Sequence, residues 1–494
     1  MTFTRRRLLA LTVPALTLTA LTVFPAFPEQ AAAQEPAPTS ASFVRTPAGT
    51  YDVVVVGSGG AGLSAALSAA EEGASVLLIE KTAVLGGNTL RASGLFNAAD
   101  PERQRPMGIV DSVDWHYEQT MASGAGRNDP ALVRTFVTKC LDTYHWAKGL
   151  GVEFGAPTTG AGMSVPRQHM TKTSQMLGVF HDLIRAKGGE IRMNTAARRL
   201  ITDADGKVIG VEAAAGKKAL RIRAKKGVVI AAGGWARSED LLRRFTPAAE
   251  KALKLGGLGN TGDGTKMAWA LGADLLDVSY TKATYGFNPK TQTSAFVMYN
   301  GAVIVNKKGE RFADESRPYK ELGELVMQEP DGIGYQVYDA AIHAEAQKDP
   351  LAKTDYLKKN GELFEADTLE ALAGKIGVPA DALVRTVKAY NEGLAKGADA
   401  FGRTSLSAGG GKPQPITKAP FYAFAATACL LSTYCGPKID TEARVVNIFG
   451  EVIPGLWAAG EGTGGFHGAA YMSGTSVGKA VIFGKIAAES IAKA

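Results

Sequence analysis

Asp52-Val-Val-Val-Val-Gly57-Ser-Gly59-Gly-Ala-Gly62 decides the fold, and Glu80 closes the unit it opens. Four consecutive valines predict a strand buried on both faces, because β-branched side chains fit a sheet covered by helices. Gly57, Gly59 and Gly62 then permit a tight turn, a close approach of backbone to a pyrophosphate, and close packing of the next helix, predicted over residues 61–70. The N-terminal amides and dipole of that helix favour phosphate. Val76-Leu-Leu-Ile79 is a second strand, and Glu80 at its end is placed to accept ribose hydroxyls. A lone G-x-G-x-x-G also fits a purely structural βα turn. Strand, turn, helix, strand and acid in this order predict a dinucleotide site.

Upstream, Thr4-Arg5-Arg6-Arg7-Leu8-Leu9 precedes an apolar stretch to Phe27 and then Ala31-Ala-Ala33. This reads as a twin-arginine signal peptide over residues 1–33, cleaved after Ala33. Such a leader carries a folded protein to the periplasm or another extracytoplasmic space. An uncleaved anchor is the alternative, and Pro14 with several threonines speaks against it. Residues 34–50, rich in Pro, Ala and Ser, read as a linker. No later segment is long and apolar enough to span a bilayer, so no stable membrane span is expected after cleavage.

The 494 residues suggest two or three domains, and 45% hydrophobic with 21% charged residues is ordinary for a globular protein. The net charge of +7 is spread without a basic block, which excludes a nucleic-acid reading. Cys140, Cys429 and Cys435 have no metal-ligand spacing and form no C-x-x-C-H haem attachment site. An oxidising compartment would permit a Cys429–Cys435 bridge; free, partly buried thiols are expected.

Further along come Leu85-Gly86-Gly87-Asn88-Thr89, a helix over 129–149, a helix over 175–186 and a strand over 190–194. Gly206-Lys207 turns a hairpin, and residues 227–234 are a buried strand ending in glycines. Near Ser279 the character changes to aromatic and polar, with mainly helical periodicity over 369–396. Ile453-Pro-Gly-Leu-Trp-Ala-Ala-Gly460-Glu461 then aims another strand at a glycine turn. Residues 279–432 therefore read as an insertion into the nucleotide-binding domain, which occupies 51–278 and 433–494.

Seven segments together resemble the fumarate reductase/succinate dehydrogenase flavoprotein superfamily, in particular flavocytochrome-type fumarate reductases and 3-ketosteroid dehydrogenases. They are residues 57–62, Gly86-Gly-Asn-Thr89, Ala231-Ala-Gly-Gly234, Thr261-Gly-Asp-Gly264, residues 300–306, Arg311-Phe-Ala-Asp-Glu315 and residues 460–468. The resemblance implies an α/β fold: a Rossmann-like FAD-binding domain with an inserted α+β capping domain over the isoalloxazine. It implies that FAD is contacted by Gly57, Gly59, Ala61, Gly62, Glu80, Lys81, Gly87, Asn88, Thr89, Ala197, Gly233, Asp263, Gly460, Glu461, Ser476 and Val477. Electrons are then expected to pass to or from a separate partner, a cytochrome or a quinone.

The departures from the fumarate reductase pattern bear on the substrate. Thr284 and Ser432 stand where that pattern has histidines, and Tyr471 where it has a carboxylate-binding arginine. Ala295 and Met298 replace its proton relay, and Arg317 falls two residues short of its proton-donating arginine. A dicarboxylate without cationic partners would be desolvated at high cost. Asp314-Glu-Ser-Arg-Pro-Tyr319 resembles instead the 3-ketosteroid dehydrogenase stretch that carries a catalytic tyrosine, and Tyr471 stands where those enzymes place a tyrosine at the ketone oxygen. Tyr319, Tyr471, Arg317 and Ser473 are the catalytic candidates, with N–H groups of residues 474–476 as further donors and Ser473 tuning Tyr471. Each has a bland reading: tyrosines pack at interfaces, and Arg317 pairs with Asp314 or Glu315. His145 and His169 read as structural, Arg167 as a polar residue facing the site, and His467 as orienting backbone near the cofactor. The expected substrate is an enone or its saturated ketone. The alternatives are a carboxylate-selective ene-reductase with Arg317 as proton donor, and a flavin electron-transfer subunit.

Overall fold

The four valines of strand Thr46–Val56 lie between two parallel neighbours. Val53 and Val56 face Val76 and Ile79 of one, and Gly227 and Ile230 of the other. None of the four is more than 5% exposed, as a strand covered on both faces requires. The structure is a computed structural model describing residues 46–494 apart from 161, 281–282, 350–351 and 408–409. The signal peptide and residues 34–45 of the linker lie outside the described residues.

The sheet runs Arg444–Val446, Val452–Ala458, Lys218–Ile230, Thr46–Val56, Val76–Ile79, Glu190–Arg192. Ala196–Thr202 and Val208–Ala215 extend it as an antiparallel hairpin on Lys218–Ile230. One sequence expectation is corrected here. Thr46, Pro47 and Thr50, read as linker, are strand residues paired with Leu220, Arg221 and Arg223. The 13-residue strand Lys218–Ile230 outruns the valines and offers its free ladder to whatever precedes them.

Helix Gly60–Glu71 leaves the first turn and packs along the closing helix Thr475–Lys493. Gly484 allows the close approach, since a Cβ there would stand 2.3 Å from the carbonyl oxygen of Ala61. Helix Pro130–Gly149 covers the same core with Leu132, Phe136, Val137 and Cys140, and Asp129 caps it by accepting from the amides of Ala131 and Leu132.

A second, mostly antiparallel sheet is built around Phe421–Leu430, which pairs with Ile333–Asp339, Leu363–Ala366, Thr284–Phe287 and Leu253–Lys254. Val303–Val305 completes it beside Ile333–Asp339. The chain joins this sheet at Leu253–Lys254, ahead of Ser279, and leaves it after Leu430. Alternation along the strands feeds two cores: Ile304, Phe424, Ala426 and Leu430 face one, Val303, Val305 and Ala423 the other. Helices Leu369–Ile376 and Ala380–Lys396 cover the second core, and Tyr319–Gln328 the first. In that last helix Gly323 lies on strand Thr284–Phe287, so the helix start, with Tyr319 and Lys320, is held at the sheet's end. A buried ion cluster fixes the connection: Arg311 and Arg403 both bind Glu315, and Arg311 also binds Asp399. Glu315 accepts from the Ile304 amide, and Arg403 donates to the carbonyls of Ala302 and Met298. No helix among the described residues is long and apolar enough to cross a membrane.

Candidate active site

The first turn is built by two different uses of glycine. Gly57 has φ +106°, and a Cβ there would stand 2.4 Å from the carbonyl oxygen of Ala231; a Cβ on Gly62 would stand 1.8 Å from that of Gly57. Both are demanded by the chain's own packing. Gly59 is different: it is extended, and its nearest neighbour to an added Cβ, Thr89 Oγ1, lies 3.7 Å away. The protein leaves this face bare, beside the amides that open helix Gly60–Glu71, which is the cradle a pyrophosphate needs. Thr89 Oγ1 accepts from the Gly60 amide at 3.0 Å. Glu80, at the end of strand Val76–Ile79, accepts from the amide and hydroxyl of Ser58 and from those of Thr82, all within 3.0 Å. The donor and acceptor set therefore fits a dinucleotide: amides for phosphates, a fixed carboxylate for a ribose.

A second group of the sequence candidates ties distant segments together. Asn88 Nδ2 donates to Glu461 at 2.6 Å and to the Leu431 carbonyl at 2.9 Å, while its Oδ1 accepts from the Gly257 amide at 2.6 Å. Glu461 also accepts from Asn260 Nδ2 and the Thr433 amide, and burial pushes its carboxyl up. Gly460 precedes it, and Gly233 lies where a Cβ on Gly462 would strike its carbonyl oxygen at 2.4 Å. Lys81 binds Asp263 at 2.6 Å and Thr261 at 2.5 Å. Gly87 has open space where a side chain would be. Ala197 sits in the antiparallel hairpin opposite Ala213, and Val477 is buried in the first turn of the closing helix.

At the other end of that helix turn Tyr471 is held by hydroxyls and amides. Tyr471 Oη lies 3.2 Å from Ser476 Oγ, and the amides of Gly474 and Ser476 aim at the same oxygen. Its ring stacks on Tyr434 at 5.2 Å between centroids. Tyr434 holds φ +51°, a left-handed backbone that costs about 1–3 kcal/mol and is kept here by hydroxyl contacts with Ser432 and Ser476. The Tyr319 ring packs on Phe296 at 5.7 Å, and burial, with Tyr471 and Cys429 close by, pushes its phenol up to about 12. Lys320 Nζ lies 5.9 Å from the Tyr319 ring centre and 5.6 Å from that of Tyr471, and donates to Thr284 Oγ1 at 3.1 Å.

Other candidates fall elsewhere. The hydroxyl that meets Tyr471 is that of Ser476 and not Ser473, whose carbonyl accepts from Asn97; the left-handed turn at Gly474 brings residue 476 back over residue 471. Arg317 is half exposed, 3.9 Å from Glu321; Asp314 is occupied by Ser316 and Glu315 by Arg311 and Arg403. Arg167 is buried in a fork with Asp111 and donates to Gln119. His169 contacts the Ala98 carbonyl and packs on Tyr144, with burial holding its pKa low. His467 lies between the rings of Tyr434 and Phe466. Ala295 and Met298 are fully buried; Cys140 is buried too, and Cys429 and Cys435, expected to be partly buried, are fully buried and unbridged. Sequence reasoning missed Tyr434 and Lys320. The signal for Lys320 was its place beside Tyr319 at a helix start; Tyr434 carried none beyond the glycine two residues on.

Comparison with known proteins agrees with this geometry. A family model described as an FAD binding domain matches residues 52–477. The chain is 33% identical to a fumarate reductase (cytochrome) of Shewanella frigidimarina, over 92% of its own length and 79% of the relative's. Among solved structures it resembles the open conformation of a flavocytochrome c3 fumarate reductase, with TM-score 0.77 and 30% identity, covering 90% of this chain and 79% of that one. It also resembles a 3-ketosteroid-Δ4-(5α)-dehydrogenase from Rhodococcus jostii RHA1 in complex with 4-androstene-3,17-dione, with TM-score 0.75 and 26% identity, covering 92% and 100%. The chain therefore belongs to the FAD-binding flavoprotein family that includes these reductases and dehydrogenases, and is an FAD-dependent oxidoreductase acting on CH–CH bonds.

Proposed function

We propose that the enzyme moves a hydride across a C–C bond activated by a carbonyl, interconverting an enone and its saturated ketone. The observation that carries this reading is that Tyr319 and Tyr471, far apart in the chain, both stand beside Lys320 Nζ, at 5.9 and 5.6 Å from their ring centres, with Tyr471 held at the start of the closing helix. Bound FAD supplies the hydride exchange. Tyr471, steadied by Ser476 and stacked on Tyr434, donates to the carbonyl oxygen, where negative charge develops as the hydride is added. Tyr319 exchanges a proton with the neighbouring carbon, its phenol being the protonated form at neutral pH and pushed further up by burial. The arginines that a carboxylate clamp would need are spent elsewhere: Arg167 on Asp111, Arg311 and Arg403 on Glu315, with Arg317 turned toward Glu321. That supports an enone over a C4 dicarboxylate. Residues 4–33 support export by the twin-arginine route, and a cytochrome or quinone is the expected electron partner.

The test is anaerobic mixing of chemically reduced enzyme with a panel of alkenes. Cyclic and steroidal enones are expected to reoxidise the flavin. Reoxidation by fumarate, urocanate or acrylate and not by enones would overturn the reading, as would reoxidation by a cytochrome alone.

A further inference from the structure

Tyr319 is poorly placed to recover a proton unaided. Its ring is walled by Phe296, and the titratable groups facing it are Tyr471, Cys429, Tyr299 and Lys320. Tyr471 is committed to Ser476, and to the substrate oxygen when one is bound. Cys429 is fully buried, and burial makes its thiol a still weaker acid. Tyr299 donates its hydroxyl proton to the Arg317 carbonyl, and burial likewise weakens it as an acid. Lys320 differs from all three. It is partly exposed, its stem is flexible, and its ammonium stands beside both tyrosine rings while donating to Thr284 Oγ1.

We propose that Lys320 carries a proton from solvent to Tyr319 after each turnover. The inference rests on the reading of Tyr319 as proton donor to the substrate. In the reducing direction hydride adds to the β-carbon and the alkene π bond breaks. The O–H bond of Tyr319 then breaks as a C–H bond forms at the α-carbon, leaving a tyrosinate. An N–H proton of Lys320 passes to that oxygen, and the neutral amine regains a proton from water. The alkene is reduced by two electrons, supplied by the reduced flavin, and Lys320 and Tyr319 end as they began. Burial pushes the Tyr319 phenol up to about 12, which makes its tyrosinate a strong base toward a neighbouring ammonium. Dehydrogenation uses the same path in reverse. Lys320 is thus a positioning and relay residue acting through Tyr319.

The experiment separates the first turnover from the later ones. In Lys320→Met holoenzyme Tyr319 starts protonated, so reoxidation of pre-reduced flavin by an enone should stay within about twofold of the parent. Steady-state turnover should fall about 10²-fold, the scale of a lost acid–base step. Lys320→Arg keeps the charge but cannot release its proton at working pH, so it should be equally slow in steady state. Methylamine should restore turnover to Lys320→Ala. Full steady-state activity in Lys320→Met or Lys320→Arg, or an equal loss in the first and later turnovers, would overturn the relay. Failure of the parent enzyme to be reoxidised by any enone would instead overturn the reading of Tyr319, and the two results are distinct. Flavin absorbance of each variant reports its folding.

Discussion

The two ends of the cofactor site are made differently. At the turn from Gly57 to Gly62, each requirement is met by backbone: one left-handed φ, a near-contact of Gly57 with Ala231, another of Gly62 with Gly57, and a helix start. At the Tyr471 end, the site needs side chains from the start of helix Tyr319–Gln328, from the loop at Tyr434 and from the turn before Thr475–Lys493, brought together only by the completed fold. The first end tolerates almost no change in shape. The second tolerates changes in shape and is sensitive to chemistry.

The sharpest way to break this comparison lies within the turn itself. Gly62→Ala places a methyl 1.8 Å from the Gly57 carbonyl oxygen, a contact with backbone that no rotamer relieves. It should cost more than about 4 kcal/mol and yield little soluble protein, with or without added FAD. Gly59→Ala meets no protein atom closer than 3.7 Å, so the apoprotein should keep its Tm within a few degrees while losing FAD affinity about tenfold or more. Thermal melts of apoprotein and flavin titration check the pair. Equal loss of stability in both variants would end the distinction between glycines kept for the chain and glycines kept for the ligand.

At the other end the expected losses are kinetic. Tyr471→Phe removes the hydroxyl held by Ser476 and should lower turnover about 10²-fold or more, with an unchanged melt and full flavin content. Arg317→Ala, at a half-exposed side chain facing Glu321, should stay within about twofold. Steady-state rates with the best enone decide both. A Tyr471→Phe variant as fast as the parent would remove that hydroxyl from the mechanism.

What could be read from the sequence follows the same division. The strand, glycine turn, helix and Glu80 were legible because their geometry is local and glycine, valine and a strand-end acid each have one main physical use there. Thr46–Thr50 were misread because composition reports what a segment prefers alone, whereas the overhanging strand Lys218–Ile230 supplied the missing partner. Asn88 and Glu461 were found by resemblance, but their direct contact at 2.6 Å joins residues 373 positions apart, which no local pattern encodes. Lys320 was passed over, and Arg167 read as a polar residue facing the site, because what a cation packs against is settled only by the completed fold. Asp111, which neutralises Arg167, lies 56 residues before it.

The pH dependence sharpens the reading of Tyr319. Its folded-state phenol is pushed up to about 12, above the ordinary tyrosine value, because burial, Tyr471 and Cys429 all disfavour the phenolate. Reduction needs the phenol, which is the populated form at all working pH, so its rate should be flat between about pH 6 and 9. Dehydrogenation needs the phenolate, whose fraction grows about tenfold per pH unit below the pKa, and its rate should climb accordingly. Initial rates in both directions across this range, with stopped-flow control of flavin reduction, give the two profiles. A flat dehydrogenation profile would place the base elsewhere.

A smaller effect than that of Tyr471→Phe discriminates between two serines three residues apart. Ser476 meets the Tyr471 hydroxyl directly, while the contact from Ser473 in this structure is through its carbonyl, to Asn97. Ser476→Ala removes the hydrogen bond to Tyr471 together with the contact to Tyr434, and leaves the Gly474 and Ser476 amides aimed at the Tyr471 oxygen, so the phenol stays in place but is less firmly oriented. Such a bond is worth ~1 kcal/mol, or about fivefold in rate. Ser473→Ala leaves the carbonyl that Asn97 uses and should change the rate by less than about twofold. Because the family resemblance also assigns Ser476 to FAD, flavin titration must accompany the rates; a fivefold rate loss at unchanged FAD affinity assigns the serine to Tyr471, and a loss confined to FAD affinity assigns it to the cofactor. The outcome fixes where along the first turn of helix Thr475–Lys493 the backbone-made end of the site gives way to the end made by side chains.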